Sequence, residues 1–175
     1  MSVVEARRAA EALLAEHHVA AAPVDVEDLA RRVGLKIVRD RLGDGDISAL
    51  LVTGAAGAYV VVNALNAPVR QRFSVAHEIG HFVLKHQFQS GEHVHVDRGN
   101  FISQRGTRAS AGIDPKEIEA NQFAAVLLMP EELVRADLTQ MRVAHVYDQH
   151  VEELAHRFKV SVQAMTIRLQ SLRLL

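Results

Sequence analysis

Arg72-Phe73-Ser74-Val75-Ala76-His77-Glu78-Ile79-Gly80-His81-Phe82-Val83-Leu84 is the stretch on which the reading of this chain turns. Asn66, Ala67 and Pro68 supply a cap and an early helical proline ahead of it, so the pattern predicts a long helix from 69 to about 86. On such a helix the spacing of the HExxH string His77-Glu78-Ile79-Gly80-His81 puts both histidines on one face, about 6 Å apart along the axis, where two imidazoles can reach one ion. Glu78 projects beside the first histidine and can touch a water on that ion without ligating the ion itself. Zinc lowers the pKa of such a water to about 7, and a neighbouring carboxylate can take its proton and hand it to a leaving amine. The expected chemistry is amide hydrolysis, with Zn2+ held by His77 and His81 and Glu78 as general base.

Phe73, Val75, Ala76, Ile79, Phe82, Val83 and Leu84 make this helix largely buried, and two histidines and a glutamate would be left unsatisfied there unless something binds them. A catalytic zinc also needs a third protein ligand while leaving a position for water. The next strong helix start is Asp114-Pro115-Lys116-Glu117, an N-cap, a proline and a capping-box acid, leading to Met129-Pro130. On its wheel Phe123, Val126 and Leu127 cluster on the side where Glu119 points, whereas Glu117 faces nearly the other way. Glu119 is therefore the expected third ligand. His93 and His95 are rivals, but their polar loop setting favours solvated side chains. His86, at the end of the motif helix, is expected to meet terminal carbonyls or to pack locally.

Working outward, Ser2-Val3-Val4-Glu5 opens a helix to about residue 17, and a short second helix follows Asp25 and ends at Gly34. Three β-rich runs, 35–38, 47–53 and 59–63, are separated by Gly-rich turns and read as a small, mainly antiparallel sheet. Residues 87–112 are polar and too long for an ordinary connection. Beyond 130 the chain reads as two or three helices, the last starting at Ser161. The fold class is α+β, in one domain spanning 1–175, with 131–175 as a helical C-terminal part.

Bulk properties narrow the partners. The chain has 175 residues, 49% of them hydrophobic, enough for one sizeable core. A formal charge of −1 gives no global footprint for nucleic acid or an anionic membrane. There is no cysteine, so neither disulfides nor thiolate ligation hold the fold. No apolar stretch reaches bilayer-spanning length and residues 1–8 show no leader pattern, so the expectation is a cytoplasmic protein with no membrane contact.

The motif stretch, taken together with Glu117-Ile118-Glu119-Ala120-Asn121-Gln122-Phe123-Ala124-Ala125-Val126-Leu127-Leu128-Met129-Pro130, resembles the ImmA/IrrE family of metallopeptidases. The similarity extends more weakly to Val61-Val62-Asn63 and to 154–172. The resemblance implies a zincin-like domain with a gluzincin-type arrangement, in which His77, His81 and Glu119 match the ligand positions and Glu78 the catalytic acid/base. It also implies a protein substrate, since members cleave helix-turn-helix repressors or regulators. The extra sensor or N-terminal DNA-binding modules of some larger members are not expected in this chain.

Two other readings compete. Residues 154–169 resemble a helix-turn-helix with Ser161 capping a recognition helix, which would make the protein a DNA-binding regulator. That helix offers chiefly Gln163, Thr166 and Arg168 to phosphates or base edges, which weighs against direct nucleic-acid binding. A zinc-stabilised interaction protein is the other reading; Glu78 argues against it, because a purely structural site needs no acid beside an open position.

Overall fold

The computed structural model describes residues 2–43, 46–86, 94–97, 114–143 and 145–175. Helix α1, Val3–Glu16, begins with a closed capping box: Ser2 N donates to Glu5 Oε2 at 2.6 Å and Glu5 N donates to Ser2 Oγ at 3.3 Å. Helix α2, Val26–Arg32, is capped by Asp25, whose Oδ1 accepts from Glu27 N and Asp28 N. Gly34 follows at φ +90°, a conformation that other residues adopt only with strain, and turns the chain into the sheet.

The sheet has four strands among the described residues: β1 (Leu35–Asp40), β2 (Ala49–Gly54), β3 (Gly57–Asn63) and β4 (Val94–Asp97), in the order β1-β3-β2-β4. The β2–β3 and β2–β4 pairs are antiparallel and β1 runs parallel to β3. The mainly antiparallel sheet expected from three runs thus gains one parallel pair and a fourth strand. That strand lies within the segment read as a polar loop. The turn positions Asp44 and Gly45, and most of 87–113, lie outside the described residues.

Helix α3, Pro68–Val83, carries the motif. Ala67 stands at its N-cap and no side chain caps it; Pro68 removes one of the donors that would need a cap. The helix ends three residues before the expected point, with Lys85 in the left-handed region. Helix α4, Pro115–Leu128, starts as anticipated on Asp114, whose Oδ1 accepts from Lys116 N at 2.9 Å. Helices α5 (Glu131–Met141), α6 (Asp148–Phe158) and α7 (Val162–Ser171) complete the chain, the last capped by Ser161 Oγ.

The layers follow from which faces are apolar. α3 packs on β2 and β3 with one side and on α4 with the other, and α1 covers α4. Leu51, Val60 and Val62 from the sheet, Val75 and Ile79 from α3, and Phe123 and Leu127 from α4 share one buried cluster that continues to Phe158 and Leu169. Gly80 lets α3 and α4 approach closely. A Cβ there would lie 3.1 Å from Phe123 Cδ1 and 3.3 Å from Ala120 Cα. The result is an α+β, zincin-like fold with the motif helix at its centre.

Candidate metal centre

His77, Glu78 and His81 are all buried on α3, at the level where β4 passes. His77 Nε2 and His81 Nε2 lie 2.9 Å apart. The carboxylate of Glu117, from the first turn of α4, reaches both: Oε2 is 3.3 Å from His77 Nε2 and Oε1 is 3.3 Å from His81 Nε2. His95 completes the group from β4, with Nε2 3.0 Å from Glu117 Oε1 and Nδ1 3.1 Å from Glu78 Oε2. One donor atom from each of His77, His81, His95 and Glu117 lies within 4.8 Å of the others.

Glu119 is not among them. Its side chain does face inward, as the wheel suggests, and is 4% exposed. There Oε2 lies 2.9 Å from His86 Nε2, and His86 Nδ1 lies 2.9 Å from His81 Nδ1. An ionised carboxylate only accepts, so His86 Nε2–H donates to Glu119. Neutral His86 then accepts at Nδ1 from the Nδ1–H of His81, which leaves the Nε2 of His81 a bare lone pair. His77 is set in the same way, donating Nδ1–H to Asn121 Oδ1 at 3.0 Å. With both rings neutral, the two Nε2 lone pairs would face each other at 2.9 Å and repel, so the pair calls for a positive charge beside it, a proton on His77 or a bound cation. Outer partners of this kind fix the tautomer and orientation of ligating histidines.

The electrostatics agree with that demand for positive charge. Burial alone would lower the pKa of His95, but Glu117 and Glu78 on either side push it up to about 10. Burial opposes protonation of His77 too, and Glu117 and Glu78 again outweigh it. His81, with the same burial and two histidine neighbours, is driven down to about 3. Burial would raise the Glu117 carboxyl, yet its three histidine partners hold it well below the usual range. Glu78 is raised, burial being the chief cause and His95 opposing it, as suits a base that must accept a proton. A divalent ion meets the same need for positive charge by displacing protons from its ligands.

β4 owes its position to α3 as well as to the sheet. Ser74 Oγ, buried on the motif helix, donates to Asp97 Oδ2 at 3.2 Å, and Ser48 N donates to Asp97 O at 2.7 Å. Val94 and Val96 face outward while His95 and Asp97 face in, the reverse of an ordinary surface strand. His95 is therefore a site residue and not a solvated loop histidine; the alternation Val-His-Val-Asp was the available signal. His93, its rival in the sequence reading, lies outside the described residues. Asn121 carried no signal of its own.

Paired histidines one turn apart, a buried glutamate beside them and a carboxylate from the next helix make a metallopeptidase-like centre on a zincin-like fold. The sequence model of the IrrE N-terminal-like domain, Peptidase_M78, matches residues 30–170, and the chain belongs to that family. Among solved structures it is similar to a Mycobacterium tuberculosis transcriptional regulator, with 21% identity and a TM-score of 0.60 over 96% of this chain and 47% of that one. The likeness is one of fold, and this chain spans about half of that protein's length. Comparison with curated proteins finds no match. Among the described residues no helix is long and apolar enough to cross a membrane.

Proposed function

We propose that the protein is a zinc-dependent endopeptidase in which His77, His81 and Glu117 hold the metal and Glu78 is the general base. The observation that carries this reading is the pair of Nε2 atoms 2.9 Å apart, each 3.3 Å from a carboxylate oxygen of Glu117. Two imidazoles and one carboxylate suit zinc, and three protein ligands leave a position open for chemistry. This ligand set replaces Glu119 with Glu117. A zinc held there would supply Lewis acidity to an amide carbonyl and to a water. Glu78 would accept a proton from the attacking water and return it to the departing amide nitrogen. His95, engaged by Glu78 and Glu117 through its two ring nitrogens, holds both carboxylates in register. β4 is an edge strand among the described residues, so an extended substrate could add beside it by main-chain pairing.

The substrate assigned is a helix-turn-helix repressor or regulator, on the strength of the family resemblance, acting in the cytoplasm. Direct DNA binding by the C-terminal helices fits less well. Arg168, one of the few groups available to a recognition helix, is 5% exposed and donates inward to Met129 O at 2.9 Å. The test is made in cells carrying a reporter controlled by the repressor encoded nearest this gene. The wild type should remove the repressor and switch the reporter on. Glu78→Gln, which keeps every ligand, should leave the repressor intact and the reporter silent; full derepression by that variant would rule out a peptidase and favour a DNA-binding regulator.

A further inference from the structure

A cavity of about 350 Å³ lies between α3, α4 and α7, on the side of His77 away from the metal ligands. His81, His95 and Glu117 take no part in its wall. Its walls are mostly apolar, formed by Phe73, Ile118, Ala125, Met129, Ala164 and Ile167 among others. Two cations line this wall: Arg70, which donates to Ser48 Oγ at 3.0 and 3.2 Å and lies near Asp97, and Arg168. Arg168 is 5% exposed, and its Nε donates to Met129 O at 2.9 Å. Among the described residues its terminal guanidinium nitrogens have no hydrogen-bond partner and no carboxylate lies within ion-pair distance. Glu131 is engaged by Arg135 at 2.7 Å, and Glu11 acts on Arg168 only through space.

A third cation stands behind Arg168. Arg7 donates through Nε and Nη2 to Gln122 Oε1, at 3.1 and 2.9 Å, and Gln122 lines the cavity. Burial, and then the charge of Arg7, lower the pKa of Arg168 to about 10, so it stays charged at neutral pH. The residue is 5% exposed but its terminal nitrogens open onto the cavity, so a carboxylate entering there can meet them in charge-assisted bonds. At about 30 Å³ per small group, the cavity takes on the order of ten heavy atoms. An anion of that size needs an apolar body to suit these walls.

We propose that this cavity is a binding site for a small straight-chain carboxylic acid, whose carboxylate pairs with Arg168 and whose alkyl chain lies against Phe73, Ile118 and Ile167. Because Asn121 lines the cavity and accepts from His77 Nδ1, an occupant there touches the group that orients a motif histidine. The binding itself stands whether or not the motif cluster hydrolyses peptides.

The test titrates octanoate and its neutral counterpart 1-octanol, each below its aggregation limit, into the full-length protein by calorimetry. Octanoate should bind one per chain and at least about tenfold more tightly than octanol, as expected of a charge-assisted contact. Arg168→Gln should erase that preference by weakening octanoate alone. Ala164→Phe, which fills the cavity and leaves Arg168 in place, should abolish both. Absence of octanoate binding, equal binding of acid and alcohol, or octanoate binding that survives Ala164→Phe would each overturn the proposal. Should Arg168→Gln fail to fold, as judged by circular dichroism, the comparison of acid with alcohol and the Ala164→Phe variant still decide.

Discussion

Glu117 and Glu119 sit two positions apart on α4 and do different work. Glu117, the ligand proposed above, reaches from the first turn across to the histidine pair with its side chain 31% exposed. Glu119 is nearly buried and acts on His81 through His86. The difference predicts separable phenotypes in a chelator competition for zinc. Glu117→Ala should lose stoichiometric zinc, whereas Glu119→Ala should weaken binding about 10–100-fold, the usual cost of losing an outer partner of a metal ligand. His86→Ala should match Glu119→Ala, and the double variant should be little worse than either, because both act through one chain of bonds. A larger loss from Glu119→Ala than from Glu117→Ala would restore Glu119 as the ligand. The helical wheel put Glu119 on the inner side of α4, where it lies, but it reports only which side faces the core and not that Glu117 comes within 3.3 Å of both motif histidines.

At the scale of elements, the site depends on how α3 meets its neighbours. The caps Ser2, Asp25, Asp114 and Ser161, and the turn at Gly34, were legible because each rests on local backbone chemistry. β4 was not, since four residues amid polar sequence carry too little pattern, and its inward face is polar because it builds the site. The close approach at Gly80 gives the second prediction. Alanine there should favour the helix by about 1 kcal/mol in isolation. In the folded protein its Cβ would press on Phe123 and on the backbone of Ala120, so α4 must retreat by a few tenths of an ångström or the pair must strain. Because α4 carries Glu117, Glu119 and Asn121, Gly80→Ala should weaken zinc binding while helix content by circular dichroism is unchanged. Unaltered or tighter zinc binding would show that the spacing of these helices does not set the site.

For the whole molecule, one buried cluster runs from the sheet through α3 and α4 to α6 and α7, so the C-terminal helices share the core of the motif helix. That a short turn after α6 leads into a helix capped by Ser161 was legible from the sequence. That Arg168 turns inward was not, because a charged residue in a helix is read by default as solvated. The formal charge of −1 gives the molecule no broad electrostatic field. The most direct measurement is therefore the rate at which purified protein cuts a repressor substrate after its metal is stripped, after zinc is restored, and with Glu78→Gln loaded to the same zinc content. The account predicts cleavage only on zinc restoration, and a rate for Glu78→Gln lower by at least about 100-fold, the scale of a lost general base. Equal rates in the stripped and restored protein, or an undiminished rate in the zinc-loaded variant, would contradict it.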